Sequence, residues 1–502
     1  MAPVILCLDS GTTAVKAAAF DASGQLLAHV DLPNTALTRT GLRVEQDMDA
    51  SRELAVRALR DCMARTPGHA PRGLILTGQG DGLWPLDADG QPVGPAMTWL
   101  DGRARGLVSE LGSALDRIED ITGSRPTAAA QSLQLLWLQR HEPDRFQRIA
   151  KILRLKDWLF YAFTGTLQAE PSAALPVWGS WRDGSMSAEI PKVLGLTRGI
   201  DVLPEFAPVG QCRAPLSASA AQACGLPEGL PVLMGPGDVQ ATLIGLGLGT
   251  RPEVTRASVF GTSAIHACLL DDPDTMPQKP RGAMVQQFVL GDGFLCFHPC
   301  FNGATLLQHL QGQFRDLPSS VSPAYSGLVV HPFFEPGGER APWTDPQASA
   351  ALFGLSAATT PQQIAWAGRE ALAFVARVSH MMMGAAQGAL SLGGGLARDA
   401  NFARFLATCL GTPVVRSPTA HAGPRGLAAI AAPHLLDASP ADVAAHWIGP
   451  SEDRITPQSG PVARYADAKF ASFRDLVDTT SPHWAALSDI ADAAAHLNED
   501  TP

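Results

Sequence analysis

The sequence predicts an α/β protein of two similarly built lobes facing each other across a central cleft. Short apolar runs closed by Gly, Ser, Thr and Asp turns alternate with longer helical stretches, the pattern of strands and helices packed in layers. The opening strand–turn–strand unit is echoed by Ser258–Asp271, and Gly261 stands 250 positions after Gly11, so one architecture is read twice. Near the middle, Gly235-Pro-Gly-Asp238 sets an acid in a glycine-rich turn between apolar runs.

Val4–Leu8 reads as a buried strand, Asp9–Thr13 as a tight turn, and Val15–Phe20 as the returning strand. Asp21–Gly24 has hairpin chemistry and leads to a third strand, Gln25–Asp31. A helix over Arg52–Arg65 precedes the strand Gly73–Thr77, which ends in Gly78-Gln-Gly-Asp-Gly82. Helices follow at Ser132–Gln147 and Leu155–Phe163, then a strand at Leu230–Met234 and a helix at Val239–Leu248. A long helix spans Pro361–Ala386; Leu392-Gly-Gly-Gly-Leu396 joins a strand to a helix over Asn401–Leu410. The lobes fall at residues 1–243 and 244–470, with 471–502 a terminal helix and tail.

Composition excludes several function classes. The 502 residues, 46% hydrophobic, suffice to bury sizeable cores. A net charge of -10 gives no basic face for nucleic acid. No apolar run approaches the ~18 residues of a membrane span, and no basic leader precedes the first strand. The eight scattered cysteines have no zinc spacing and read as reduced thiols, which fits a cytoplasmic protein. His298, in Phe297-His-Pro299, is a lone loop histidine without a second metal ligand in range.

Chemistry concentrates at the turns. Asp9-Ser-Gly-Thr-Thr13 offers successive backbone N–H groups, with Gly11 admitting an anion, Thr12 and Thr13 adding hydroxyls, and Lys16 a cation. Asp9 could hold Mg²⁺; a plain hairpin turn is the alternative. Gly261-Thr262-Ser263 is a second such turn. Asp238 suits a general base that takes a hydroxyl proton as the oxygen attacks a phosphate; the alternative is a helix N-cap. Gly393–Gly395 suits a nucleotide or merely a tight βα turn. Gln79, Gly80, Asp81, Asp101 and Arg103 supply directional donors and acceptors for a polyol, with Trp84 or Trp99 as an aromatic wall; a loop with a surface Asp–Arg pair is the alternative. Trp137 and Trp158 read as core, and Gly338–Trp343 as a structural loop with a Glu339–Arg340 pair. No Gly-x-Gly-x-x-Gly fingerprint and no Walker motif is present, which disfavours hydride transfer and P-loop chemistry.

Taken in order, these motifs resemble the FGGY family of carbohydrate kinases, of the sugar kinase, Hsp70 and actin superfamily. The resemblance runs from Val4 to about residue 440. It rests on Asp9–Thr13, Trp99-Leu-Asp-Gly-Arg103, Leu135–Leu138, Lys156-Asp-Trp-Leu with Thr164-Gly165, Gly237-Asp238, Gly261-Thr262, Gly338-Glu-Arg340, Phe353-Gly-Leu355 and Gly393–Gly395. It implies two RNase H-like (actin-like ATPase) lobes, ATP and Mg²⁺, and phosphoryl transfer to a sugar or polyol hydroxyl. By position, Asp238 resembles the catalytic base and Asp9 the metal-side acid. Gly11, Thr12, Thr13, Lys16, Gly261, Thr262, Ser263, Gly303, Gly394 and Gly395 look like ATP contacts, and Gln79–Asp81 opens the substrate pocket.

Gln134, Gly368-Arg369 and His421-Ala-Gly423 depart from the family pattern. The Gln-Gly-Asp-Gly stretch followed by Trp-Leu-Asp looks most like erythritol kinases, with pentulose kinases (D-xylulose, L-xylulose or ribulose) as rivals. The other classes left open are a non-catalytic actin- or Hsp70-like module and an inactive sensor. The expected partner is a small sugar or polyol, with a homodimer left open.

Overall fold

The computed structural model describes residues 1–272, 282–318, 321–335, 338–384, 388–417, 421–448 and 453–499. The chain divides into two compact units. The first comprises Met1–Arg251, Met284–Leu295 and His421–Pro450; the second comprises Pro252–Ala283, Cys296–Ala420 and Ser451–Pro502.

The first unit is built on a six-stranded sheet. β1 (Ala2–Ser10), β2 (Ala14–Asp21) and β3 (Leu26–Pro33) form an antiparallel meander, and β4 (His69–Gly78) runs parallel to β1. β5 (Arg213–Pro215) and β6 (Pro231–Met234) complete the order β5-β6-β4-β1-β2-β3. Val4–Leu8 and Leu74–Leu76 are wholly buried, as expected of central strands covered on both faces. The helix α1 (Met48–Ala64) begins one turn before its sequence-predicted start, because Asp47 caps it by accepting from the Ala50 N–H at 2.8 Å.

The predicted helix Ser132–Gln147 is two helices, Gln131–His141 and Pro143–Arg148. Pro143 lacks an N–H and disfavours helical backbone at Glu142, which sits at φ -132°, ψ 59°. The helix α2 (Leu155–Thr164) closes at Gly165 in the left-handed region, where glycine is favoured.

The second lobe is not the continuous stretch 244–470 that the sequence predicts. After a helix α3 (Asp238–Gly245), the chain leaves the first unit and returns with α4 (Ala422–Leu435). These two helices meet backbone to backbone. A Cβ on Gly245 would lie 1.9 Å from the Ala422 carbonyl oxygen, and one on Gly426 would lie 1.8 Å from that of Ala241. Only glycine permits that approach.

The second unit repeats the plan of the first. β7 (Val254–Phe260) and β8 (Ala264–Leu270) form a hairpin around Gly261–Ser263. With β9 (Phe294–Cys300), β10 (Ala389–Gly394), β11 (Val414–Arg416) and β12 (Arg454–Ile455) they lie in the order β9-β8-β7-β10-β11-β12. β10 runs parallel to β7 as β4 does to β1. The long helix is Pro361–Met382, started by a Thr360/Gln363 capping box; residues 385 and 386 of its predicted end lie outside the described residues. All eight cysteines are buried and none is in a disulfide. No helix among the described residues is long and apolar enough to cross a membrane.

His298 lies on β9 rather than in a loop, fully buried. It neighbours His266 and His380, whose rings are bridged by the Ser258 hydroxyl at 2.9 Å to each. Burial, then the charge of His298, holds His266 down to about 3, and burial depresses His380 as well. Unfolded histidines bind protons below about pH 6.5 while these stay neutral, so stability falls as pH drops through that window. We expect a lower urea midpoint at pH 5 than at pH 7, with about 2 kcal/mol lost per buried histidine. Equal midpoints would show that the rings are protonated in place.

Candidate active site

In the first unit, β1 delivers Asp9 and the turn that follows. The Gly11 N–H donates to the Ala14 carbonyl at 3.0 Å. The Asn34 side-chain amide donates to the carbonyls of Gly11 (3.3 Å) and Thr12 (3.1 Å), fixing the turn from one side. The Trp99 indole N–H donates to Thr12 Oγ1 at 2.8 Å, so Trp99 holds this turn. Asp9 pairs across the strands with Lys16, and Lys16 with Asp31. Burial raises the Asp9 pKa; Lys16 pulls it back in part and Asp31 adds to the rise. Gly423, on the first turn of α4, passes so close that a Cβ there would lie 2.9 Å from Asp9 Oδ2.

β6 delivers Asp238. Thr77 Oγ1 donates to the Pro236 carbonyl at 2.5 Å, and the Gly237 N–H donates to Ser172 Oγ at 2.9 Å, so the turn is pinned on two sides. The N-cap of α3 is Gly237, and Asp238 is the first helical residue. The N-cap alternative therefore does not hold, and the carboxylate accepts only locally, from the Val239 N–H at 2.9 Å. Burial, then the charge of Asp9, pushes the Asp238 carboxyl up to about 7; Asp81 adds to the rise.

The predicted substrate residues separate into two groups. Gly80 lies beside Asp238: a Cβ on it would meet nothing nearer than Asp238 Oδ1, at 3.7 Å. Asp81 is half-buried and acts electrostatically on Asp238. Gln79 is 2% exposed and donates to Gln46 Oε1 at 3.1 Å, while its own Oε1 has no partner. Asp101 and Arg103 form a clasp within the protein instead of a pair presented to a ligand. Asp101, 1% exposed, accepts from the Val44 N–H (2.9 Å) and from Arg103 Nε and Nη2. Arg103 reaches on to Glu45 at 2.8 Å and lies over the Trp137 ring. Burial is the reason: an acid removed from water must be fully hydrogen-bonded. Trp84 is likewise completely buried and cannot wall a pocket.

The residues beneath the Asp238 turn were not singled out as site residues in the sequence. Ser172 donates to Glu170 Oε2 at 2.6 Å, and Lys156 reaches Asp157 (3.1 Å) and Glu170 (3.4 Å), all of them buried. Burial works against the Lys156 ammonium, yet Asp157 and Glu170 outweigh it and lift its pKa. Lys156→Met would remove the ammonium that both buried carboxylates reach, leaving only the more distant charge of Arg154. We expect a loss of about 3–5 kcal/mol in urea unfolding; a loss below about 1 kcal/mol would mean that water reaches the pair.

In the second unit, the remaining predicted residues gather at one sheet end. The Gly261 N–H donates to the Ser263 carbonyl at 2.9 Å, the counterpart of the bond at Gly11. Gly303 packs on this turn, where a Cβ would fall 2.4 Å from the Ser263 carbonyl carbon. Gly394, at φ +82°, pairs with Phe260, and nothing lies within 4 Å of a Cβ on Gly395. Glu339 holds the Gly303 loop by accepting from the Phe301 N–H (2.7 Å) and the Asn302 amide (2.9 Å). It also accepts from the Arg340 N–H at 2.8 Å, so Glu339 braces this loop as a structural residue.

The family model for the N-terminal domain of the FGGY family of carbohydrate kinases matches residues 4–245, and that for the C-terminal domain matches residues 257–434. The chain belongs to the FGGY family of carbohydrate kinases. It is therefore a phosphotransferase acting on a carbohydrate or polyol. The kinase is 28% identical to an erythritol kinase of Brucella abortus over 97% of this chain and 98% of that one. It is 27% identical to a xylulose kinase of Escherichia coli, over 73% and 76% of the two chains. Among solved structures, a gluconate kinase from Lactobacillus acidophilus superposes with a TM-score of 0.86 at 18% identity, covering 97% of this chain and all of that one; this shows the shared actin-like ATPase fold.

Proposed function

We propose that this kinase transfers the γ-phosphate of ATP to a terminal hydroxyl of a small neutral polyol or ketose, erythritol or a related C4–C5 compound first among them. The observation that carries the reading is Asp238, half-buried, not used as a cap, with Gly80 open beside it and its carboxyl held near 7. A base with that affinity removes a proton near neutral pH. The hydroxyl oxygen would attack as Asp238 accepts its proton, with Gln79–Asp81 orienting the acceptor. Gly11, Thr12, Thr13, Lys16, Gly261, Thr262, Ser263, Gly303, Gly394 and Gly395 are the proposed ATP contacts.

Asp9 fits a magnesium role. Two mutually repelling carboxylates, both with raised pKa values, are relieved by a divalent cation. No group of three or more His, Cys, Asp or Glu residues that could hold a metal occurs among the described residues, so the proposed ion would be held by Asp9 and otherwise by water and phosphate. When bound with ATP, Mg²⁺ would neutralise phosphate charge. Eight buried cysteines outside any disulfide support a cytoplasmic setting.

The near full-length relation to an erythritol kinase favours a polyol, and the xylulose kinase relation keeps a pentulose as the second reading. The test is ADP release across C3–C6 polyols and ketoses. Turnover is expected with a C4 or C5 compound; ATP hydrolysis indifferent to every acceptor would overturn the reading.

A further inference from the structure

Gln240 stands on the first turn of α3, close behind Asp238, and is 1% exposed. The other buried positions of that helix are Ala241, Leu243, Ile244 and Gly245, so a buried amide is the exception. Both ends of the amide go to one stretch of backbone. Nε2 donates to the Gln287 carbonyl at 3.0 Å, and Oε1 accepts from the Val289 N–H at 3.1 Å. A carbonyl needs a donor and an N–H an acceptor, so these partners fix which way the amide faces.

The clasped stretch is a hairpin. The strand Met284–Gln287 lies beside β9, and the Phe288 N–H closes the turn on the Gly293 carbonyl at 2.9 Å. Met284–Leu295 belongs to the first unit, although the chain before and after it belongs to the second. The Val285 N–H donates to the Gly123 carbonyl at 3.1 Å, and the Phe294 ring meets Trp181 edge-on, 5.8 Å between centroids. Gln240 adds a fastening from the helix that carries Asp238 itself. A buried amide is unfavourable unless paired, so the clasp fixes the first turn of α3 against the hairpin. The Asp238 carboxylate accepts from the Val239 N–H of that same turn, and its aim follows the turn.

Resting on the kinase reading above, we propose that Gln240 is a positioning residue: by clasping the Met284–Leu295 hairpin it sets the first turn of α3, and with it the aim of the Asp238 carboxylate at the acceptor hydroxyl. Glutamine suits this because it offers one donor and one acceptor side by side. An ionised glutamate would offer the Gln287 carbonyl no donor, and an apolar residue would leave both backbone groups unpaired. Gln240 touches neither acceptor nor nucleotide.

The test compares the full chain with Q240M, Q240N and F294L. Q240M keeps the length without either hydrogen bond, Q240N is one methylene short, and F294L loosens the hairpin at Trp181 with the clasp intact. In Q240M the Val289 amide is expected to exchange about tenfold faster, the worth of one hydrogen bond. Its kcat should fall roughly 10²-fold at unchanged KM for acceptor and ATP, the mark of a misaimed group. Q240N should lie in between and carries the readout if Q240M does not fold. F294L should keep the wild-type kcat at a lowered melting temperature. Unchanged Val289 exchange in Q240M, a wild-type kcat in both Gln240 variants, or an equal kcat loss in F294L would each overturn the proposal.

A second readout needs no turnover: the pH dependence of the stability gap between each chain and its D238N counterpart. The midpoint near 7 should drop in Q240M, because a loosened turn lets water reach the carboxylate, and hold in F294L. Asp9 and Asp81, the charges acting on Asp238, are the same in all of these chains. A dropped midpoint in a wild type that phosphorylates no acceptor would sink the kinase reading and leave this one standing. Acceptor turnover with the same midpoint and kcat in Q240M would do the reverse.

Discussion

Asp238→Asn is expected to lower turnover by about 10²–10⁴-fold while making the protein more stable, a pairing that an ordinary structural acid would not show. The rate loss follows from removing the group that accepts the hydroxyl proton. The stability gain follows from the pKa. The carboxyl is raised from 3.8 to about 7, by burial and then by Asp9, so the folded chain binds this proton more tightly than the unfolded chain does. Between those two values stability therefore falls as pH rises, and above about 7 the whole penalty is present. A neutral amide of the same shape removes it. Allowing for solvent screening at a half-buried group, the gain is about 1–2 kcal/mol at pH 8 and vanishes near pH 4. Melting curves of both proteins at the two pH values check this. In the wild type, kcat/KM for the acceptor should climb about tenfold per unit up to pH 7 and then level off. Full activity in the variant would remove Asp238 from the chemistry.

Gly426→Val is expected to unfold the first unit or destabilise it by about 3–5 kcal/mol. Gly426 is in mid-helix at a crossing where a Cβ would stand 1.8 Å from the Ala241 carbonyl oxygen, a backbone atom that no rotamer change can move. α3 and α4 would have to separate. α3 begins with Asp238, and α4 brings Gly423 against Asp9, so activity should fall along with stability. Gly312→Ala is the control. It lies in the helix Thr305–Gln313 with nothing within 4 Å of an added Cβ, and should gain roughly 0.5–1 kcal/mol from helix propensity. Urea unfolding of the pair separates a steric crossing from a general intolerance of side chains at helical glycines; equal, small effects would mean that the helices are not in that contact.

Much of the site was legible because its chemistry is local. Asp9–Thr13 and Gly261–Ser263 are turns whose backbone bonds close within three residues, so residue type and order suffice to find them. Asp238 stood out because glycines flank it on one side and an apolar helix on the other. Asp101 and Arg103 were legible as a pair, but not as an inward-turned one. Their partners Val44 and Glu45 lie more than fifty residues away, and only packing brings them together.

By itself, then, the sequence determined the repeated strand–turn–strand plan, the acidic and glycine-rich turns, and the family. These follow from short-range sterics and hydrogen bonding, which every residue carries with it. Tertiary structure alone decided that 421–450 returns to the first unit through the Gly245–Gly426 crossing, that Ser172 and Glu170 support a turn 65 residues further on, and that Gln240 clasps a backbone carbonyl 47 residues away. Those facts depend on which distant surfaces exclude water together, and burial, which raises the Asp238 pKa and obliges the Gln240 amide to find partners, is a property of the folded chain as a whole.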